Sequence, residues 1–126
     1  MRKIVNCKLN IECISEEGKS ESNIQGKGYY KQENEEIIVY FTSGNDKYKY
    51  EYKNNELIIS FNDSSYSFKL NSKSEGEIKN GDFVLKFTTF TSKLEINNNS
   101  ILVDYKMYQN KMEIGTYKSK LFFLEV

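Results

Sequence analysis

Apolar and polar residues alternate with period two from one end of this chain to the other, the spacing of strands that bury one face and wet the other. Val5, Cys7, Leu9, Ile11 and Cys13 share one phase, with Asn6, Lys8, Asn10 and Glu12 in the other, which predicts a first strand over about residues 3–14. The same rhythm predicts strands at about 21–31 (Ile24, Tyr30), 36–42 (Ile37, Val39, Phe41), 46–53 (Tyr48, Tyr50, Tyr52), 56–61 (Leu57, Ile59, Phe61) and 64–71 (Tyr66, Phe68, Leu70). Turn clusters divide them. Glu17-Gly18-Lys19, Ser43-Gly44-Asn45-Asp46, Asn54-Asn55 and Asn62-Asp63-Ser64 are residues that tolerate positive φ or bond their own backbone.

The strongest hairpin signal is Asn80-Gly81, where a type I′ turn is expected between a strand ending near Lys79 and one beginning at Asp82. Phe83, Leu85 and Phe87 then alternate, but the apolar phase changes parity before Leu94 and Ile96, which places a bulge or bend within Thr88–Ser92. Ile101, Val103, Tyr105 and Met107 follow the Asn97-Asn98-Asn99 turn, and Asn110 leads into a last segment over about 112–126. About nine to eleven short strands without a 3.6-residue period describe an all-β domain. No linker interrupts them, so residues 1–126 form a single domain. A flat meander this long would leave one edge and one apolar face uncovered. Closure into an antiparallel barrel of about 8–10 strands removes both, around an interior that holds side chains or one small ligand.

Composition narrows the chemistry. The 126 residues are 38% hydrophobic and 29% charged, with 18 basic groups balancing 18 acidic ones, and they include no His, Trp, Pro or Ala. Without His the chain lacks the commonest general base and the commonest zinc ligand. An enzyme built from it would have to use Tyr, Lys, Asp or Glu in its place, and no catalytic residue, metal ligand or cofactor is assigned. Cys7 and Cys13 lie in one strand, roughly 20 Å apart at the usual rise, too far for a disulfide. They read as reduced core residues, and a cytoplasmic setting is expected. Asn6, Lys8, Asn10 and Glu12 break any signal-peptide core, and the apolar run Ile37–Phe41 is too short to span a bilayer, so no membrane partner is expected.

Lys47-Tyr48-Lys49-Tyr50-Glu51-Tyr52-Lys53 interleaves aromatics with lysines, as a strand that stacks bases would. Zero net charge and Glu51 argue instead for a barrel strand with rings on one side and charges on the other, and no nucleic-acid partner is expected. Gly26-x-Gly28 has no helix after it and is no dinucleotide fingerprint; close backbone approach accounts for it. Asp104 shares the phase of Lys106 and is expected to face water.

Taken in order, Gly26-x-Gly28-Tyr29-Tyr30, Ile37–Phe41, Asn80-Gly81-x-Phe83, Phe87-Thr88 through Thr91-x-Lys93-Leu94, Ile101–Tyr105 and the Gly115 strand resemble the YwiB-like bacterial family. That family is of unknown function and similar in fold to the calycins, the lipocalin-like β-barrels, so the resemblance implies a calycin-like barrel and no particular activity. The Arg common after the family's middle strand is absent from Leu57–Ser67, and the lipocalin Gly-x-Trp signature is absent as well.

The function expected from these residues is binding of a small apolar ligand at one mouth of the barrel. Tyr48, Tyr50, Tyr66, Phe68, Phe87 and Tyr105 are the candidate ligand-binding side chains, supplying shape and ring surface while phenol hydroxyls orient one polar group. A second reading is a non-catalytic structural or protein-interaction module, a filled barrel that pairs with a second copy as a homodimer.

Overall fold

A computed structural model describes residues 2–126 as ten strands: β1 (Arg2–Ser15), β2 (Gly18–Glu33), β3 (Glu36–Ser43), β4 (Asp46–Lys53), β5 (Glu56–Phe61), β6 (Ser64–Phe68), β7 (Lys73–Asn80), β8 (Phe83–Ile96), β9 (Ser100–Gln109) and β10 (Met112–Glu125). Each pairs antiparallel with its sequence neighbours, and β1 pairs with β10 from Val5↔Glu125 to Ile14↔Thr116, which closes the barrel. The inward phase is the apolar phase of the sequence. Val5, Val39, Leu57, Val103, Leu121 and Phe123 are buried and fill the end where the chain termini meet, and Tyr30 stacks on Phe123 there with ring centroids 5.3 Å apart.

Gly26 and Gly28 lie on the inward phase where β2 bends over β3. A Cβ on Gly28 would overlap the Tyr40 carbonyl oxygen, and one on Gly26 the Thr42 carbonyl. Backbone proximity is therefore what these positions require. The parity change in β8 is a bulge at Ser92, between the pairs Thr91↔Tyr105 and Lys93↔Asp104. β6 ends at Phe68, short of the expected 71, because the next residues leave the sheet to cross this bulge. Asn71 donates to the Thr91 carbonyl at 2.7 Å, and the Thr91 amide donates to Ser72.

The type I′ turn expected at Asn80-Gly81 is not there. Asn80 pairs with Phe83, so the turn is Gly81-Asp82, and of the two only Gly81 has positive φ, at 64°. The cause lies one turn of the ladder away: Phe87 pairs with Gly76, where a Cβ would come within 2.6 Å of the ring. Seating the ring over the residue without a side chain fixes the register and carries the turn with it. Two consecutive positive-φ residues, the type I′ pattern, occur instead at Asn54-Asn55 and Asn110-Lys111.

Strand lengths are unequal around the barrel. Residues 18–26 of β2 pair with β1 alone, since β3 joins only from Lys27↔Thr42. Phe83–Phe87 of β8 pair with β7 alone, since β9 joins at Thr88↔Tyr108. Two hairpins thus stand above the short β3–β6 wall, and the open end of the barrel has a high lip and a low one.

Candidate internal ligand site

Beneath the low lip lies a cavity of about 350 Å³, a volume in the lower range of small-molecule sites. Its buried lining, the floor, includes Leu9, Tyr50, Phe68, Tyr105, Met107 and Ser119, and the half-buried Ile11, Ile24, Phe61, Ile78 and Tyr117 border it. These positions follow from strand parity: each belongs to the inward phase of its strand, above the level where aliphatic side chains fill the lumen.

Of the six candidate side chains, Tyr48, Tyr50, Tyr66, Phe68 and Tyr105 line this cavity together. Phe87 lies off the lining, behind Tyr66, against whose ring it packs at 5.0 Å and 57°. Leu9, Ile11, Ser22, Ile24, Ile59, Phe61, Ile78, Met107, Tyr117 and Ser119 complete the lining, and none of them is among the candidates read from sequence. The available signal was parity, since Tyr117 and Ser119 continue the phase of Leu121 and Phe123 in the last strand.

The rings are packed largely on one another. Tyr105 stacks on Tyr117 with centroids 5.1 Å apart and meets Phe68 at 4.6 Å, tilted by 53°. Tyr48 stacks on Phe41 at 4.7 Å. Burial raises the pKa of Tyr50 above that of an exposed phenol, with the Ser119 side chain pulling the other way through a hydrogen bond. Burial also raises Tyr105, reinforced by the neighbouring Tyr66, Tyr50 and Tyr117 hydroxyls. Tyr66 is raised by burial alone, and Tyr48 by burial and by nearby Asp46. Burial and the Cys13 thiol push Tyr117 up to about 12. All these phenols are protonated at neutral pH. The Tyr30 hydroxyl donates to Gln32 at 2.8 Å outside the cavity, whereas in the lining the Tyr117 hydroxyl is hydrogen-bonded to the Cys13 thiol.

Cys7 and Cys13 are both free thiols. In β4, Tyr48 and Tyr50 point into the lumen while Lys49 ion-pairs with Glu51 on the outside at 3.3 Å, so rings and lysines lie on opposite faces of the wall. Asp104, on the outward phase, pairs across the ladder with Lys118 and Lys93. Among the described residues, no group of three or more His, Cys, Asp or Glu side chains is placed to hold a metal ion.

The class of molecule these elements define is a closed ten-stranded antiparallel barrel with an apolar, tyrosine-tipped cavity beneath an uneven mouth. The same fold is found in the crystal structure of the ywiB protein from Bacillus subtilis, with a TM-score of 0.81 over 99% of this chain and 93% of that one, at 9% sequence identity. The resemblance read from the glycine, threonine and alternating apolar positions thus holds at the level of the fold. No family model and no curated protein sequence matches the chain.

Proposed function

We propose that this protein is a non-catalytic, calycin-like binding barrel that takes a small, largely apolar molecule into its lumen, in a reducing, cytoplasmic setting. The observation that carries the reading is the cavity itself. A lumen of about 350 Å³, open at one end, is walled almost entirely by apolar and aromatic side chains, surface that is better covered by an apolar molecule than by water. An occupant covers that surface and meets the phenol hydroxyls. Native mass spectrometry of the purified protein, with a Nile red titration, tests the reading. A bound small molecule or saturable dye binding supports it. Absence of both, with a lumen that proves collapsed, rejects it.

A second reading, an interaction module that pairs with another copy, is favoured by the outer face of the closing strands. Ile4, Phe122, Leu124 and Val126 are exposed there, and Val126 bonds back to the Ile4 carbonyl at 3.0 Å, so the four form one apolar patch. Sedimentation velocity over a hundredfold concentration range distinguishes a dimer from a monomer.

A further inference from the structure

Charged residues make up 29% of the chain, yet none of the side chains lining the cavity is Lys, Arg, Asp or Glu. The pleat explains how this is achieved. Lys49 separates Tyr48 from Tyr50, Lys106 separates Tyr105 from Met107, and Lys118 separates Tyr117 from Ser119, and each of these lysines takes the opposite face. Lys49 and Lys106 are held outside by Glu51 and Glu113 at 3.3 and 3.5 Å. The charge that the lumen does feel is negative, since Asp46 at the low lip acts on Tyr48. A carboxylate entering this space would leave water without a counter-charge, a penalty that phenol donors alone do not remove.

A cation fares no better. An ammonium is held by exposed ring faces, and here other rings already pack against several of them: Tyr117 and Phe68 against Tyr105, Phe41 against Tyr48, and Phe87 against Tyr66. The phenols of the lining are protonated at neutral pH, and their hydroxyl donors favour an oxygen with lone pairs and no net charge.

We infer that the cavity selects uncharged, compact ring compounds bearing a carbonyl-type acceptor oxygen, that Tyr105 donates the hydrogen bond that holds this oxygen, and that the matching carboxylates and ammonium ions are excluded. The inference rests on the proposed binding function and names its ligand class.

Four probes of similar shape test it by isothermal titration at pH 7.4: 2-acetylnaphthalene, 2-isopropylnaphthalene, 2-naphthoate and 2-naphthylmethylammonium. The ketone is expected to bind about fivefold more tightly than the hydrocarbon, the worth of one net hydrogen bond, and each ion at least a hundredfold more weakly than the ketone. Tyr105→Phe should erase the advantage of the ketone over the hydrocarbon and leave hydrocarbon binding intact. Tyr29→Phe, on the outer wall, should change neither. If Tyr105→Phe does not fold, Tyr117→Phe serves as the second donor deletion, and an undiminished ketone advantage there supports the assignment to Tyr105. Equal binding of ketone and hydrocarbon, or an ion within tenfold of the ketone, overturns the selectivity while the binding function stands. Failure of all four probes overturns the binding function itself.

Discussion

The ring of Tyr105 meets that of Phe68 at a centroid distance of 4.6 Å and an angle of 53°, joining the two floor strands β9 and β6 across the lumen. Both residues are buried, so this edge-to-face contact anchors the cavity floor as well as lining it. Truncation and hydroxyl removal should therefore separate. Tyr105→Ala is expected to cost about 3–5 kcal/mol of unfolding free energy, and Tyr105→Phe less than about 1 kcal/mol, since the hydroxyl faces the lumen. Urea denaturation of both variants checks the pair; equal losses would place the hydroxyl in a structural bond.

Gly28→Ala should be among the most damaging single-atom changes in the chain. Its new methyl would overlap the backbone oxygen of Tyr40, which cannot rotate away, and overpacking of this kind costs about 3 kcal/mol or more. Gly44→Ala is the contrast: open space surrounds that position, and only its φ of 60° penalises a side chain, at roughly 1 kcal/mol. Thermal melts of the two variants should differ accordingly.

Thr89 and Thr91 are both fully buried on β8, yet replacement by Val should have opposite effects. The Thr89 hydroxyl donates to the Ser67 carbonyl at 2.9 Å, whereas the Thr91 hydroxyl is buried without a partner. Thr89→Val is expected to cost about 1–2 kcal/mol. Thr91→Val removes an unsatisfied polar atom from the core and should raise stability by roughly 1 kcal/mol. The urea midpoints of the two variants check the sign.

Alkaline pH should destabilise the protein. Burial pushes the Cys7 thiol up to about 11 and Tyr117 up to about 12, with Tyr50 and Tyr105 also raised. In the unfolded chain thiols and phenols release their protons near pH 8.5 and 10. Above those values the folded state holds more protons than the unfolded one, so stability is fully present at neutral pH and falls as pH rises towards the folded values. Urea midpoints at pH 8, 9, 10 and 11 should decline, and Cys7→Val should flatten the first part of the decline. A midpoint constant to pH 11 would contradict the burial of these groups.

The two thiols should react at different rates. Cys7 is buried, while Cys13 is half-buried beside Tyr117 near the mouth. Iodoacetamide followed by peptide mass spectrometry is expected to label Cys13 in the native protein and Cys7 only after denaturant is added. A lumen ligand should slow the labelling of Cys13.

The strand pattern was legible because each strand buries a single face, and alternation records that directly. The β8 bulge was legible for the same reason, since inserting Ser92 flips the phase of Leu94 and Ile96. The turn near Asn80 was not. Local turn chemistry favours Asn-Gly, but the register is set by Phe87 lying over Gly76, a contact between strands that no local signal contains. The cavity was legible in part. Parity assigns Tyr48, Tyr50, Tyr66, Phe68 and Tyr105 to the interior, but whether an inward residue meets a void or a neighbour depends on its height in the barrel. Phe87 is inward yet sits behind Tyr66. Phe83 and Met112 are inward in phase but project past the end of the lumen, 62% and 72% exposed.

The join between β1 and β10 gives the making of this protein a direction. A ribosome delivers β1 before β10, so the nascent chain holds β1 with one edge unpaired until β10 emerges. Loop-closure entropy defers that long-range pairing further. The vulnerable species is thus nine strands curled around an unsealed gap, where misassembly with a neighbouring chain competes with the closure by β10.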